Sequence, residues 1–163
     1  MEPAAATPEP TQQLPSEARG YLIVQGLSRS VPFAVAAVWG GGALEAGGAP
    51  DGIGAALIAL ALAGVLVGGV LVPLLRFRNW RYEVRDYEID LLRGALVVTR
   101  TLLPMTRVQH VDTRQTLLSQ AFDLRSVIVH SAAGSHEIPA LRPGEAARMR
   151  DQIALLTREP DEL

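Results

Sequence analysis

Residues Gly52–Leu75 read GIGAALIALALAGVLVGGVLVPLL, 24 residues without a charge, an amide or a hydroxyl. As a helix rising about 1.5 Å per residue, the stretch reaches roughly 36 Å, enough to cross a hydrocarbon core about 30 Å thick. A helix buried on all sides in a water-soluble protein has the same pattern, but it needs far more surrounding protein than a 163-residue chain supplies. The stretch is therefore read as a membrane span. Arg76, Arg78 and Trp80 follow it at once, an Arg-rich and aromatic flank of the kind found at a cytoplasmic interface.

Upstream, Val31–Pro50 (VPFAVAAVWGGGALEAGGAP) predicts a first span over about 31–49, ahead of the second over 52–75. Ser30 followed by Pro32 suits a helix start, because a hydroxyl caps and proline fits the first turn. Glu45 falls near the end of the apolar run. There it costs little at an interface, whereas at the bilayer centre it would cost about 2.5 kcal/mol or more and mark function. The clusters Gly40, Gly41, Gly42 and Gly64, Gly68, Gly69 suit a tight helical hairpin with its turn at 47–51. Arg19 and Arg29 precede the spans, Arg76, Arg78 and Arg81 follow them, and the turn carries only Glu45 and Asp51. The positive-inside rule then predicts a multi-pass protein of the cytoplasmic membrane with both termini inside. Residues 1–20, rich in proline and poor in large apolar groups, are expected to form a disordered tail.

The division of the chain is thus a tail (1–20), a transmembrane hairpin (21–75), one small cytoplasmic domain (76–158) and a short C-terminal tail (159–163). Net charge of −2 gives no general attraction to nucleic acid, and with no cysteine neither a disulfide nor a thiolate metal site is available. All fifteen basic residues are arginine, beside abundant alanine and glycine, as in a GC-rich bacterial genome.

The domain reads as strands. Trp80–Val84 alternates, Arg85, Asp86 and Tyr87 turn, and Glu88–Leu92 returns. Arg93 and Gly94 connect to ALVVTRTLL, Pro104 and Met105 break it, and 108–116 forms the next strand. Leu117–Leu124 reads as a one-turn helical link. Ser126–Ser131 and His136–Ala140 flank a three-residue loop, Ala132 to Gly134. Ala146, Met149, Ile153 and Leu156 then recur at helical spacing and predict one amphipathic helix that stops before Pro160. The fold class is α+β: a two-helix transmembrane hairpin, then a small antiparallel β-barrel or sandwich capped by a C-terminal helix.

In that order, Trp80, Tyr82, Asp86 and Gly94, the spaced set Pro104, Arg107, Gln109 and Val111, Phe122 and Leu124, and the run from Val127 to Gly134 resemble a known family. It is the bacterial pleckstrin-homology-like (PH-like) domain of small membrane proteins with two spans ahead of it. The likeness covers about 80 residues. Asp123 stands where the family usually has glycine, and Gln120 where arginine is common. The resemblance implies a non-catalytic module that holds or organises other proteins.

Arg107 and Gln109, two apart on a strand, share one face. They are candidate contacts for a partner's carboxylate or a lipid phosphate, or else ties between strand and loop. Arg76, Arg78, Arg81 and Arg85 are the densest basic cluster and candidate contacts for anionic lipid head groups. The turn at Arg85–Tyr87 is too short for the basic loop of phosphoinositide-binding relatives. His130 and His136 are expected to face each other across their hairpin, but no third ligand is spaced for a metal, so solvated histidines are expected and no cofactor is assigned. Asp86, Glu88 and Asp90 alternate as a solvated edge. No phosphate loop, GxSxG or HExxH motif is present, and the chain reads as not an enzyme.

Two functions fit. One is a membrane-anchored adaptor or scaffold for a membrane or cytosolic protein, with lipid contact or self-association through a sheet edge. The other is an accessory subunit of a membrane transport or export complex, held through Glu45 and the glycine-rich helix faces.

Overall fold

The computed structural model describes residues 8–158, which form two compact units. One is helical and comprises Ser16–Arg78; the other gathers the chain from Asn79 onward with the segment that ends at Pro15. Residues 1–7 of the N-terminal tail expected over 1–20, and the C-terminal tail expected over 159–163, lie outside the described residues.

In the helical unit α1 runs Glu17–Ala46, 30 residues or about 45 Å. It begins well before the span expected from Val31, because Tyr21–Arg29 continues the same helix and Pro32 lies inside it. Ser30 does not cap: its hydroxyl donates to the carbonyl of Gly26 one turn back, at 2.5 Å. The second helix is continuous over Ile53–Asn79. It consists of α2 (Ile53–Gly64), a π-helical turn (Val65–Leu71) and α3 (Val72–Asn79). The wide turn ends just upstream of Pro73, whose ring cannot donate the usual bond to Gly69.

The helices meet at glycines. A Cβ on Gly41 would lie 3.1 Å from Cα of Gly54, and one on Gly69 would lie 2.7 Å from the Leu27 side chain. One on Gly26 would meet Pro73 at 2.7 Å. Gly40, Gly42, Gly64 and Gly68, expected at this contact, face open space instead. Successive helical residues point about 100° apart, so only one glycine of a run faces the partner helix. Glu45 closes the turn: its Oε1 accepts from the Gly54 N–H at 2.8 Å, in the first turn of α2 where orphan donors gather.

The outer surface of this unit is apolar. Phe33 and Trp39 are each 78% exposed and Leu60 is 71% exposed. Two helices long and apolar enough to cross a bilayer, almost none of whose surface is buried, form a belt that water would not tolerate. The chain is a membrane protein.

The second unit is a pair of antiparallel sheets. The first has the order β1 (Gln12–Gln13), β2 (Arg81–Val84), β3 (Glu88–Gly94), β4 (Val98–Pro104). The second has β5 (Val108–Arg114), β6 (Arg125–Ser131) and β7 (Gly134–Leu141). They make a sandwich, not a closed barrel, with a core of Ile89, Leu91, Leu124, Val127, Val129, Ile138 and Leu141. Helix α5 (Pro143–Arg158) opens on proline, whose missing N–H is no loss in a first turn, and buries Ala146, Met149 and Ile153. Between the sheets' strands, α4 (Leu117–Ala121) is the expected one-turn link, capped reciprocally by Thr116 and Ser119. Asp123 takes φ 50°, the left-handed conformation that glycine would adopt most easily.

Expectations change in this unit too. Within the segment read as a disordered tail, β1 pairs with β2, Gln12 opposite Tyr82 and Gln13 opposite Arg81. The strand expected from Ala95 begins at Val98, leaving Leu96 and Val97 exposed in the loop. Asp90 is not part of a solvated edge. It is fully buried, and Arg100 Nη2 lies 2.6 Å from its Oδ2.

Candidate functional site

Strand β5 is an outer strand of its sheet, as β7 is, and half of its backbone donors and acceptors face away from β6. A groove of about 330 Å³ separates it from α5, lined by Val108, Gln109, His110 and Val111 on one side and Arg150, Ala154 and Thr157 on the other. Arg107 ends the short 3₁₀ turn Met105–Arg107 that leads into β5, and Gln109 sits where the pairing register slips between Val108 and His110. The two therefore do not share a strand face, because Arg107 precedes the strand and Gln109 occupies its irregularity. Both are exposed, and neither side chain has a hydrogen-bond partner among the described residues. The tie between strand and loop is thus not made, and both side chains are presented at the mouth of the strand edge.

The basic cluster divides. Arg76 and Arg78 lie exposed in the last turn of α3, where cations complement the helix dipole. Arg76 also lines a groove of about 290 Å³ between the helices, with Gln25, Arg29, Ser30, Phe33 and Pro73 among its walls. Two guanidinium groups above an apolar floor are suited to a head group and its acyl chain. Arg81 stands half-buried in β2. Arg85 is engaged: it pairs with Glu83 at 2.8 Å and Glu88 at 3.1 Å, and donates to the Pro8 carbonyl at 2.7 Å. Its hydrogen bond to Glu83 raises its pKa further above the usual arginine value. These contacts remove it from the head-group candidates.

The histidines are arranged differently from the expectation. Gly134 pairs with Ser131, so the loop is only Ala132–Ala133, and His136 comes opposite Val129 while His130 comes opposite Ser135. His130 instead stacks on His110 across β5 and β6, ring centroids 4.2 Å apart and planes 11° from parallel. Asp112, two residues beyond His110, brings Oδ2 to 3.3 Å from His130 Nε2 and 3.7 Å from His110 Nε2. The alternation His110, Asp112 was the signal available in the sequence. His136 has its Nδ1 buried without a hydrogen-bond partner among the described residues, and burial, then Arg93, lowers its pKa.

The bacterial PH domain model matches residues 30–157, from the second half of α1 to the end of α5. The chain belongs to the bacterial PH domain family. It is 45% identical over 113 residues to the UPF0699 transmembrane protein YdbS of Bacillus subtilis (strain 168), covering 69% of this chain and 71% of that one. It is also 24% identical over 99 residues to the UPF0699 transmembrane protein YdbT of the same organism, covering 58% of this chain but 20% of YdbT. No solved structure matches the chain. In this chain the strands of the bacterial PH domain follow two apolar helices.

Proposed function

We propose that this protein is a membrane-anchored, non-catalytic adaptor that holds an extended segment of a partner protein along β5. The observation that supports this most is the edge of β5 left unpaired among the described residues, beside the groove against α5. An added strand satisfies the free backbone groups of such an edge, and neighbouring pockets select its side chains. Arg107 and Gln109, exposed at the start of that edge, supply a fork for a carboxylate and an amide for either polarity. The arginine balance across the hairpin turn supports a two-span topology with both termini and the PH-like domain in the cytoplasm. Arg29 and Arg76 add contact with anionic lipid at the membrane face. Glu45 already has its partner in the Gly54 N–H, which takes away one of the two features on which an accessory transport subunit rested.

The test is purification of the full-length protein from mild-detergent membranes of its host, with mass spectrometry of what remains bound. A stoichiometric partner is expected in the wild type, reduced in Arg107→Ala/Gln109→Ala and in Ala154→Arg, which fills the groove. A partner retained by all these variants, or none recovered from the wild type, overturns the β5 adaptor.

A further inference from the structure

His110, Asp112 and His130 offer one donor atom each within 4.8 Å of one another, on a face of the β5–β6 pair. We infer that they form a binding site for a borderline divalent cation of the Zn²⁺ class, with its remaining coordination positions open to solvent. The backbone sets the donors. His110 and His130 are direct cross-strand partners, and Asp112 follows two residues on, opposite Ile128, so all three side chains leave the same face of two hydrogen-bonded strands.

The distances suit the ion. A tetrahedral metal bound at about 2.0–2.1 Å holds its donors roughly 3.3 Å apart. The carboxylate already lies 3.3 Å from one imidazole nitrogen and 3.7 Å from the other. The two rings are stacked, so binding an ion requires them to turn out of parallel until both Nε2 lone pairs meet at one point.

One of the rings also has a neighbour that can orient it. His130 Nδ1 lies 2.9 Å from Ser135 Oγ, on the strand beyond. With the Nδ1 proton donated to that hydroxyl, Nε2 is left as the free lone pair, the arrangement by which ligating histidines are oriented. Two imidazoles and one carboxylate fit Zn²⁺ or Ni²⁺ better than Mg²⁺ or Ca²⁺, which take oxygen ligands. The donors are half-buried or exposed, so the site is accessible to an ion from solution.

The experiment uses the full-length protein in detergent, without a polyhistidine tag and stripped with chelator, titrated with Zn²⁺ by calorimetry and with Co²⁺ by visible absorption. One ion per chain is expected, with affinity at least tenfold weaker in His130→Ala and in Asp112→Asn, and unchanged in His136→Ala. The thermal midpoint of the His130 and Asp112 variants without metal should match the wild type, since neither side chain is in the core. Zn²⁺ affinity in the wild type no greater than in His110→Ala/His130→Ala overturns the site. So does equal weakening by His136→Ala, or binding that appears only at one ion per two chains.

Discussion

Arg100 closes over Asp90 from the neighbouring strand, its Nη2 2.6 Å and its Nε 3.1 Å from the two carboxylate oxygens of a fully buried acid. The pairing is diagonal, since Asp90 stands opposite Leu102 and Arg100 opposite Leu92. Arg100 also donates to the Pro8 carbonyl at 2.9 Å, as Arg85 does at 2.7 Å, so the buried acid organises two cations that fasten the N-terminal segment. Asp90→Asn keeps the shape but gives up the charge between two guanidinium groups. It should lower the melting midpoint by about 5 °C or more and increase protease cleavage ahead of β1. An unchanged midpoint would show that the pair contributes little.

Gly94 fixes the turn from β3 to β4. Its φ is 147°, and a Cβ there would fall 1.9 Å from the Val97 carbonyl oxygen. No flexible side chain is available to move away, because the obstacle is backbone. Gly94→Ala should therefore cost about 3 kcal/mol or more, read as a shift in the urea midpoint of the full-length protein in detergent. Gly144→Ala, which meets open space, is the matched control and should leave the midpoint nearly unchanged.

How far the sequence reached depends on the range of each signal. The apolar run at Gly52–Leu75 and the helical spacing of Ala146, Met149 and Ile153 are local patterns, and both elements stand where they were expected. Asp90 was misread because its partner is ten residues away on another strand, and alternation alone does not say which face a cation will cover. β1 carries two glutamines and no periodicity; it exists through backbone pairing to β2, which composition does not reveal. The histidines were paired wrongly by a single residue of loop length. Once Gly134 joins the strand, His136 moves to the opposite face from His130 and the site forms with His110 instead.

The glycine contacts in the hairpin make a paired test. Gly41 meets Gly54 at a distance that leaves no room for a larger group, whereas Gly40, its neighbour, has nothing within 4 Å. Gly41→Leu should push the helices apart and lower the thermal midpoint in detergent, while Gly40→Leu should leave it unchanged or raise it through better helix propensity. Equal effects from the two would mean that the helices meet through another face. Glu45→Gln keeps an acceptor for the Gly54 N–H and should be tolerated; Glu45→Ala should not be.

His136 gives the protein a pH dependence whose sign follows from its surroundings. Burial, and then the positive charge of Arg93, lower its pKa in the folded state below the ordinary value of 6.5. Just below that value the unfolded chain binds a proton that the folded chain does not, so folding stability falls as the pH drops toward the folded pKa. Stability from this residue is complete above pH 6.5 and is lost on acidification through the folded value. Urea midpoints measured from pH 7.5 down to pH 5 should therefore decline, and His136→Phe, which carries no titrating group and leaves no polar nitrogen buried, should flatten the decline. Carboxylates elsewhere titrate in both proteins and cancel in the difference between the two curves. If the curves of wild type and variant run parallel, the proton is taken up elsewhere, and the buried Nδ1 of His136 has no part in it.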